Sequence, residues 1–150
     1  NSCTASGPSA LILFTSLVLF FGFSEKPEGH QLSIKVEGIK EQKGNLGILL
    51  FNSKDGFPET GEKALKGYSV KVEGTSMVID LGKFPKGEYA ITLMQDINMN
   101  GMMDKSMIGI PKEPFGFTVL QDIPFGAPSF DETSFLLTKN AIELIKLMEI

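Results

Sequence analysis

Arginine is absent from this chain of 150 residues, and all 14 of its cationic side chains are lysines. Arginine supplies the planar fork that binds phosphates and base edges through two parallel hydrogen bonds, which lysine does not provide. The 18 acidic side chains outnumber the lysines and give a formal net charge of −4. Both observations make nucleic acid a poor candidate partner.

The sequence is also poor in residues that often perform catalysis or bind metals. It contains one cysteine, Cys3, one histidine, His30, and no tryptophan. Cys3 precedes an apolar run, so the folded part has no disulfide, no cysteine-rich metal site and no thiol nucleophile. His30 stands at the start of the first predicted strand, and no nucleophile motif for a serine triad is recognisable. Because phosphate-binding loops and dinucleotide fingerprints are also missing, no motif predicts an enzyme.

The first thirty residues predict the compartment. Residues 10–23 read ALILFTSLVLFFGF, an apolar run of 14 residues with only Thr15 and Ser16 as polar side chains. This run is short for a membrane span and typical of a signal-peptide core, and residues 22–24 have the small-x-small pattern of a cleavage site. We therefore expect an exported protein, periplasmic, envelope-associated or secreted, with its domain over residues 25–150. Because the chain starts with Asn and its first nine residues carry no lysine, residues 1–24 also fit an uncleaved anchor.

From residue 30 onward, apolar and polar side chains alternate with the two-residue period of a strand. Leu32, Ile34 and Val36, for example, share one face of the first segment. Residues 58–67 predict one or two helical turns, and the alternation of the last segment favours a strand over a helix. Seven strands at this spacing predict an all-β fold, an antiparallel seven-stranded β-sandwich of the immunoglobulin or transthyretin type. These predicted strands cover residues 30–38, 46–53, 68–74, 76–82, 88–96, 134–139 and 141–148.

Residues 96–104, DINMNGMMD, resemble the first half of a calcium-binding loop. Calcium takes six to eight oxygen ligands, and such loops present them at alternate positions with a glycine at the sharp turn. Met107 stands where the bidentate glutamate of an EF-hand loop would be, so we expect weak binding, with a dissociation constant of about 10⁻⁴ to 10⁻³ M. The predicted ligands are the side chains of Asp96, Asn98 and Asn100, the carbonyl of Met102, Asp104, and Glu113 if the chain folds back.

A tight turn without any ion is the competing interpretation of the same residues. Asn100-Gly101 is a preferred dipeptide of a type I′ hairpin, and Asn and Asp side chains stabilise such loops by bonding to their own backbone. The sequence leaves both interpretations open.

Methionine is concentrated around this loop, which raises a second metal as an alternative. Five of the seven methionines lie within fourteen residues, and thioethers are ligands for copper(I). Methionine is also an adaptable hydrophobic residue, so the cluster fits plain packing as well. The five are Met94, Met99, Met102, Met103 and Met107.

Residues 109–130 form a long segment with four prolines, three glycines and four phenylalanines. Loops of this length are usually functional or disordered, and the phenylalanines argue against disorder. They fit either a satellite core at the open end of the fold or a groove for a small apolar ligand or a partner protein. The absence of tryptophan disfavours a sugar site. The phenylalanines are Phe115, Phe117, Phe125 and Phe130.

Five short motifs also occur in order: a P-x-G-x-Y-A start of a strand, the D-x-N-x-N-G-x-x-D loop, a G-I-P-x-E step, a G-F pair and a P-S-F-D segment. In this combination the chain resembles the bacterial family called domain of unknown function 2141. The resemblance implies an exported β-sandwich domain and no agreed activity. Members commonly have His and Glu on either side of the loop aspartate, where this chain has Gln95 and Ile97. If those groups aid metal binding elsewhere, the site here is poorer. The matching residues are Pro85, Gly87, Tyr89, Ala90, Asp96, Asn98, Asn100, Gly101, Asp104, Gly109, Ile110, Pro111, Glu113, Gly116, Phe117, Pro128, Ser129, Phe130 and Asp131.

Taken together, the sequence predicts an exported module that binds or scaffolds rather than catalyses. Calcium would stiffen the 96–104 loop, which would brace the phenylalanine-rich segment. The alternative is a small envelope hydrolase or a copper-handling protein that uses the same end of the fold.

Overall fold

The structure of the protein is a computed structural model that describes residues 29–150. The predicted signal segment or anchor over residues 1–24 and its cleavage site lie outside the described residues. Within them, the helices are too short to cross a membrane.

Strands dominate the described part of the chain, and the two helical segments are each a single turn. A 3₁₀ turn at Gly61–Lys63 agrees with the helical turn predicted for residues 58–67. The strands are β1 (His30–Glu37), β2 (Asn45–Phe51), β3 (Lys66–Lys71), β4 (Met77–Phe84), β5 (Gly87–Asp96), β6 (Phe115–Phe117), β7 (Phe135–Leu137) and β8 (Ala141–Lys146), and the helix α1 is Phe130–Thr133.

The strands form two sheets. One has three strands in the order β4-β1-β8, and the other has five, ordered β3-β2-β5-β6 with β7 paired to the start of β5. All pairs are antiparallel except β1 and β8, which run parallel. The prediction of a mostly antiparallel β fold is therefore confirmed, whereas its assignment to a sandwich of the immunoglobulin or transthyretin type stays a prediction.

The predicted number of seven strands is wrong, because β6 is an eighth strand inside the segment assigned to a long connection. Strand β7 is equally short but lies in a longer apolar run, whereas β6, Phe115-Gly116-Phe117, has glycine at its centre and stands among prolines. Gly116 is needed there, since a Cβ atom would lie 2.6 Å from the carbonyl oxygen of Lys146. The helix α1 was also missed, although Ser129 and Glu132 form a capping box that the S-x-x-E pattern signals.

The main core contains one face of each sheet. On β2, Leu46, Ile48 and Leu50 are fully buried, and their neighbours on β5 are Ile91 and Leu93. The alternating residues of β1 and β8 join the same cluster from the other sheet. Burying one such side chain contributes about 1.5–3 kcal/mol, so this alternation provides much of the driving force for folding.

The opposite face of the five-stranded sheet, here called its outer face, is also apolar. Register pairs Gly47 with Met94 and Leu49 with Thr92, which places these four residues on that face. Two smaller clusters cover parts of it. One consists of Phe51, Ala90 and Phe130, and the other of Phe115, Phe117 and Met148.

Candidate binding site: the carboxylate loop and the outer cavity

Residues 96–104, here called the carboxylate loop, begin on a rigid base at the end of β5. The side-chain amide of Gln95 is buried and donates hydrogen bonds to the carbonyl oxygens of Glu41 (2.6 Å) and Lys43 (3.0 Å). Gly44 has a φ of +69°, and a Cβ atom there would overlap the carbonyl oxygen of Asp96. The connection between β1 and β2 therefore packs directly against Asp96, the first residue of the loop.

Asp96 organises the loop through its carboxylate. Its two oxygens accept hydrogen bonds from the backbone N–H groups of Asn100 (3.1 Å) and Gly101 (2.7 Å). The side-chain oxygens of Asn98 and Asn100 accept further bonds from backbone N–H groups two residues later in the chain. Positive φ angles occur at Met99 and Gly101 but not at Asn100, so Asn100-Gly101 does not form the type I′ turn that the ion-free interpretation considered. The polar side chains nevertheless stabilise the loop in the way that the ion-free interpretation expects.

Asp104 closes the loop from its other end. Its carboxylate accepts hydrogen bonds from the side-chain amides of both Asn98 and Asn100, the latter at 2.8 Å. The side chains of Asn98 and Asn100 therefore meet at the Asp104 carboxylate, and Asp96 contacts the same loop through the Asn100 backbone.

Glu113 also reaches the loop, so the condition on which the sequence named it as a ligand, a chain that folds back, is met. The side chain is buried, and its two carboxylate oxygens accept hydrogen bonds from the backbone N–H groups of Ile97 (3.0 Å) and Asp104 (3.3 Å). Backbone bonds from Gln95 to Pro114 and between Asp104 and Lys112 hold the returning chain in place. Glu113 thus joins both ends of the carboxylate loop.

The charges of this loop are not neutralised by neighbouring lysines. Asp96 is 5% exposed and Glu113 6% exposed, and no lysine within residues 29–150 forms an ion pair with either of them or with Asp104. Backbone N–H groups are the partners of Asp96 and Glu113, and the side-chain amides of Asn98 and Asn100 are those of Asp104. Among the described residues, however, no three His, Cys, Asp or Glu side chains are grouped to hold a metal ion. Calcium binding therefore stays a prediction.

Met102, the predicted backbone ligand, donates its N–H to the side-chain oxygen of Asn100 (2.9 Å), and its side chain is exposed. The methionines of the predicted copper cluster have different surroundings. Met94, Met102 and Met103 line one cavity, whereas Met107 is fully exposed on the far side of Asp104. These surroundings do not place the five methionine side chains in one cluster.

A cavity of about 1040 Å³, here called the outer cavity, lies beside the carboxylate loop. Its floor is the outer face of the five-stranded sheet. The side chains of Met94 and Leu49 lie over Gly47 and Gly67, at 3.2 and 3.4 Å from where a Cβ atom would stand. Phe115 of β6 pairs with Met94 and extends the floor. The cavity is therefore built on regular strands, which hold their side chains in fixed register.

The connections before and after β6 supply the other walls. Met103, Ile108 and Ile110 line the cavity from one side, and Pro124 and Pro128 from the other. Polar groups are fewer, and Lys105, which also lines the cavity, is paired with Glu59 at 2.6 Å. A largely apolar cavity with a few polar groups at its border is typical of sites for small apolar ligands.

The four phenylalanines predicted to line a groove or fill a satellite core divide between these roles. Phe115 and Phe117 are buried and also line the outer cavity. Phe130 is buried in the cluster with Phe51 and packs edge-on against Phe57, with a ring-centroid distance of 5.9 Å. Phe125 is fully exposed, beside the cavity-lining residues Pro124 and Gly126.

The floor of the cavity was not predicted, although the sequence carries a signal for it. Strand β2 has Leu49 and Phe51 on the face opposite Leu46, Ile48 and Leu50, so both of its faces are apolar. A strand with two apolar faces is covered on both sides. That pattern identifies the outer face as a covered surface, but it does not show what covers it.

A family model described as "Uncharacterized protein conserved in bacteria (DUF2141)" matches residues 34–144. The chain belongs to this family. The match covers both sheets, the carboxylate loop and the walls of the outer cavity, and it confirms the resemblance seen in the motifs. Comparison of this DUF2141 chain with curated proteins and with solved structures found no match.

Proposed function

We propose that this domain is an exported β-sandwich binding module, and that its outer cavity takes a small apolar ligand. The observation that carries this proposal is the cavity of about 1040 Å³ on the outer face of the five-stranded sheet. A protein that used this sheet for scaffolding alone would gain stability by filling the cavity with larger side chains. An open, largely apolar cavity on a regular sheet favours a bound ligand.

The surroundings of the carboxylates favour binding over catalysis. A general acid or base must reach the proton that it transfers. Asp96 lines the outer cavity, but both it and Glu113 are buried, and each already accepts two hydrogen bonds from backbone N–H groups. These carboxylates hold the wall of the cavity in shape, so we propose that the domain is not an enzyme.

A blocked variant tests the cavity. The substitution Gly67→Phe adds a ring on the floor, and a Cβ atom there meets Leu49 at an ordinary contact distance of 3.4 Å, so the strand keeps its conformation. Binding of the uncharged probe N-phenyl-1-naphthylamine is followed by its fluorescence. We expect saturable binding to the unmodified chain and at least about tenfold weaker binding to the variant.

The control adds the same ring elsewhere. Val78→Phe places it on the three-stranded sheet, where Val78 is already exposed, and should leave probe binding unchanged. Equal loss in both variants, or unchanged binding in Gly67→Phe, would remove the outer cavity as the site.

We further propose that calcium stiffens the carboxylate loop, with ligands from Asp96, Asn98, Asn100, Met102, Asp104 and Glu113. Asp96, Asp104 and Glu113 all accept hydrogen bonds from residues of this loop and none is paired with lysine, so a divalent cation bound there would offset their negative charge. Each carboxylate oxygen keeps a free lone pair beside the N–H bond that it accepts. The amides of Asn98 and Asn100 would have to rotate, because their nitrogens now face Asp104.

Calorimetric titration with calcium tests this second proposal. We expect binding with a dissociation constant of about 10⁻⁴ to 10⁻³ M and a rise in melting temperature. Both effects should disappear in Asp96→Asn and persist in Asp122→Asn, since Asp122 is exposed on a separate loop. No heat and no thermal shift in the unmodified chain would exclude calcium, and an equal response to copper(I) would favour the methionines.

A further inference from the structure

The returning chain after the carboxylate loop forms a small hairpin with an apolar tip. Lys105 and Pro111 form a bridge, and the N–H of Ser106 donates to the carbonyl of Ile110 at 2.8 Å. The N–H of Gly109, whose φ is +82°, donates back to the carbonyl of Ser106 at 2.9 Å. These bonds define a hydrogen-bonded turn, with Met107 and Ile108 as its two central residues.

Central turn positions usually hold Gly, Pro, Asn, Asp or Ser. Here they hold two large apolar side chains, and both project into solvent, with Met107 105% and Ile108 82% exposed. The turn is ordered by its backbone bonds and by the Ser106 hydroxyl, which accepts from the Ile110 N–H at 3.1 Å. Because these apolar side chains are exposed, they contribute little to the stability of the fold. Their exposure indicates a site that contacts another apolar surface.

A second apolar tip lies on the connection after β6. Phe125 is 110% exposed between Pro124 and Gly126, and Ile123 is half exposed. This connection is fixed at one end by Thr118, whose hydroxyl donates to the carbonyl of Thr133 at 2.7 Å and accepts from the Ile91 N–H. The capping box of α1 fixes the other end. The tip thus projects from an anchored base.

Both tips border the outer cavity. Ile108 lines it from the hairpin, and Pro124 and Gly126, on either side of Phe125, line it from the second connection. A surface that accepted both tips would cover this end of the cavity.

Lysines flank the hairpin tip. Lys105 and Lys112 stand on its two shoulders, one on each side of the apolar turn. Lys105 is held by Glu59, while Lys112 is exposed and forms no ion pair with another residue of 29–150. Such a tip matches a lipid bilayer, whose acyl chains accept the apolar side chains and whose anionic headgroups attract Lys112.

Protein partners fit this surface less well. A standard protein interface uses about 20–30 residues on each side, packed around a continuous core. Here three large side chains project from two separate loops with a cavity between them. Such a shape buries little area against a flat protein surface, whereas each tip inserts independently into a fluid bilayer.

We propose that Met107, Ile108 and Phe125 insert into the interfacial region of an anionic lipid bilayer, with this end of the outer cavity facing the membrane. The docking does not depend on whether the cavity holds a ligand. It places the cavity next to a source of apolar molecules.

Tryptophan fluorescence tests the docking at a single position, because the chain has no tryptophan of its own. The full chain carrying Phe125→Trp is mixed with vesicles of phosphatidylcholine and phosphatidylglycerol whose acyl chains are brominated. Insertion of the tip should shift the emission to shorter wavelength and quench it by at least about half, since bromine quenches on contact within the acyl region.

The matched control is Leu136→Trp. Leu136 is also an exposed apolar residue, at 65%, and lies on β7 beside the start of β5, at the opposite end of that strand from the carboxylate loop. Its fluorescence should not change. The apolar run over residues 10–23 is common to both chains, so a difference between them reports on the tip alone.

A second pair of variants separates insertion from attraction at a distance. Both variants are made in the Phe125→Trp chain, and the affinity of the protein for vesicles is followed by the fluorescence of this tryptophan. The double substitution Met107→Ser and Ile108→Ser should weaken that affinity about tenfold, whereas Val78→Ser should leave it unchanged. Equal quenching at positions 125 and 136, or no quenching at 125, overturns the proposal. A blue shift at 125 that depends on protein concentration and needs no vesicles would also overturn it, because a second copy would then cover the tip.

Discussion

The outer face of the three-stranded sheet and the outer face of the five-stranded sheet differ in composition and in cover. On the first, Lys35 lies between Val78 and Leu144, all three exposed, and Ser33 lies between Asp80 and Ile142. Apolar side chains alternate there with polar ones, and the surface is solvated. On the second, glycine, leucine, methionine and phenylalanine side by side form the floor of a cavity. Both faces carry apolar side chains, but only the second is continuously apolar and covered by loops. This difference identifies the second face as the candidate site.

The largest expected change in unfolding free energy comes from a comparison of two neighbouring leucines on β2, whose side chains point to opposite faces of the strand. Leu50 is fully buried between the sheets, and Leu50→Ala should cost about 2–5 kcal/mol of unfolding free energy. Leu49 is half-buried on the cavity floor, and Leu49→Ala should cost only about 1 kcal/mol. Urea denaturation measures both. Equal losses would mean that the outer face is packed as tightly as the core, with no room for a ligand.

Two glycines test the rigid base of the carboxylate loop. Gly44→Ala introduces a Cβ atom that overlaps the Asp96 carbonyl at a φ of +69°, and should cost about 3 kcal/mol. Gly101 has a similar φ of +77° but nothing within 4 Å, so Gly101→Ala should cost about 1 kcal/mol. The difference isolates the contact from the backbone strain. Similar values for the two variants in denaturant titrations would show that the β1–β2 connection does not hold the loop.

Removal of the Glu113 charge should have a smaller effect on stability. Glutamine presents one oxygen and one amide nitrogen, so in Glu113→Gln one of the N–H groups of Ile97 and Asp104 faces a donor instead of an acceptor. We expect a loss of about 1–3 kcal/mol in thermal or chemical unfolding. The control is Glu149→Gln at an exposed ion pair with Lys40, which should change stability by less than about 1 kcal/mol. A stabilised Glu113→Gln protein would mean that like-charge repulsion, and not the hydrogen bonds, dominates at the loop.

The smallest effect concerns the three-stranded sheet. Burial raises the pKa of Glu143 above its ordinary value of 4.5, on the same side of β8 as buried Ile145. The folded state therefore favours the protonated carboxyl, and this contribution to stability is present below pH 4.5 and is lost as the pH rises through the raised pKa. Glu143→Gln should stabilise the protein slightly at pH 7, on the order of 0.5 kcal/mol, and not at pH 4. A gain that is the same at both pH values would contradict burial as its cause.

Apolar runs and period-two alternation predict seven of the eight strands of the described residues, including the three-residue β7 and also β8, where composition alone also fits a helix. They do not find β6, because its three residues stand in a segment rich in proline and glycine, and they do not indicate that β1 and β8 run parallel. Strand direction depends on which distant segments pair, and that is set by packing across the whole core rather than by local pattern.

The candidate site was predictable in part. The spacing of Asp96, Asn98 and Asn100 predicts one polar loop, and these side chains do bond within it. The sequence named Glu113 only on the condition that the chain folds back, which local pattern does not predict. The outer cavity was not predictable, because it arises where β2, β5 and β6, distant in sequence, meet under two loops. The only sign of the cavity floor in the sequence is that both faces of β2 are apolar.

The methionine methyl groups offer the most direct test of the claim that the outer face binds an apolar ligand. Met94 and Met103 line the outer cavity, whereas Met77 packs against the core between the sheets. In NMR spectra of the chain labelled with ¹³C at methionine methyl groups, titration with N-phenyl-1-naphthylamine should shift the Met94 and Met103 signals saturably and leave Met77 in place. Shifts at Met77 without shifts at Met94 and Met103 would contradict the account.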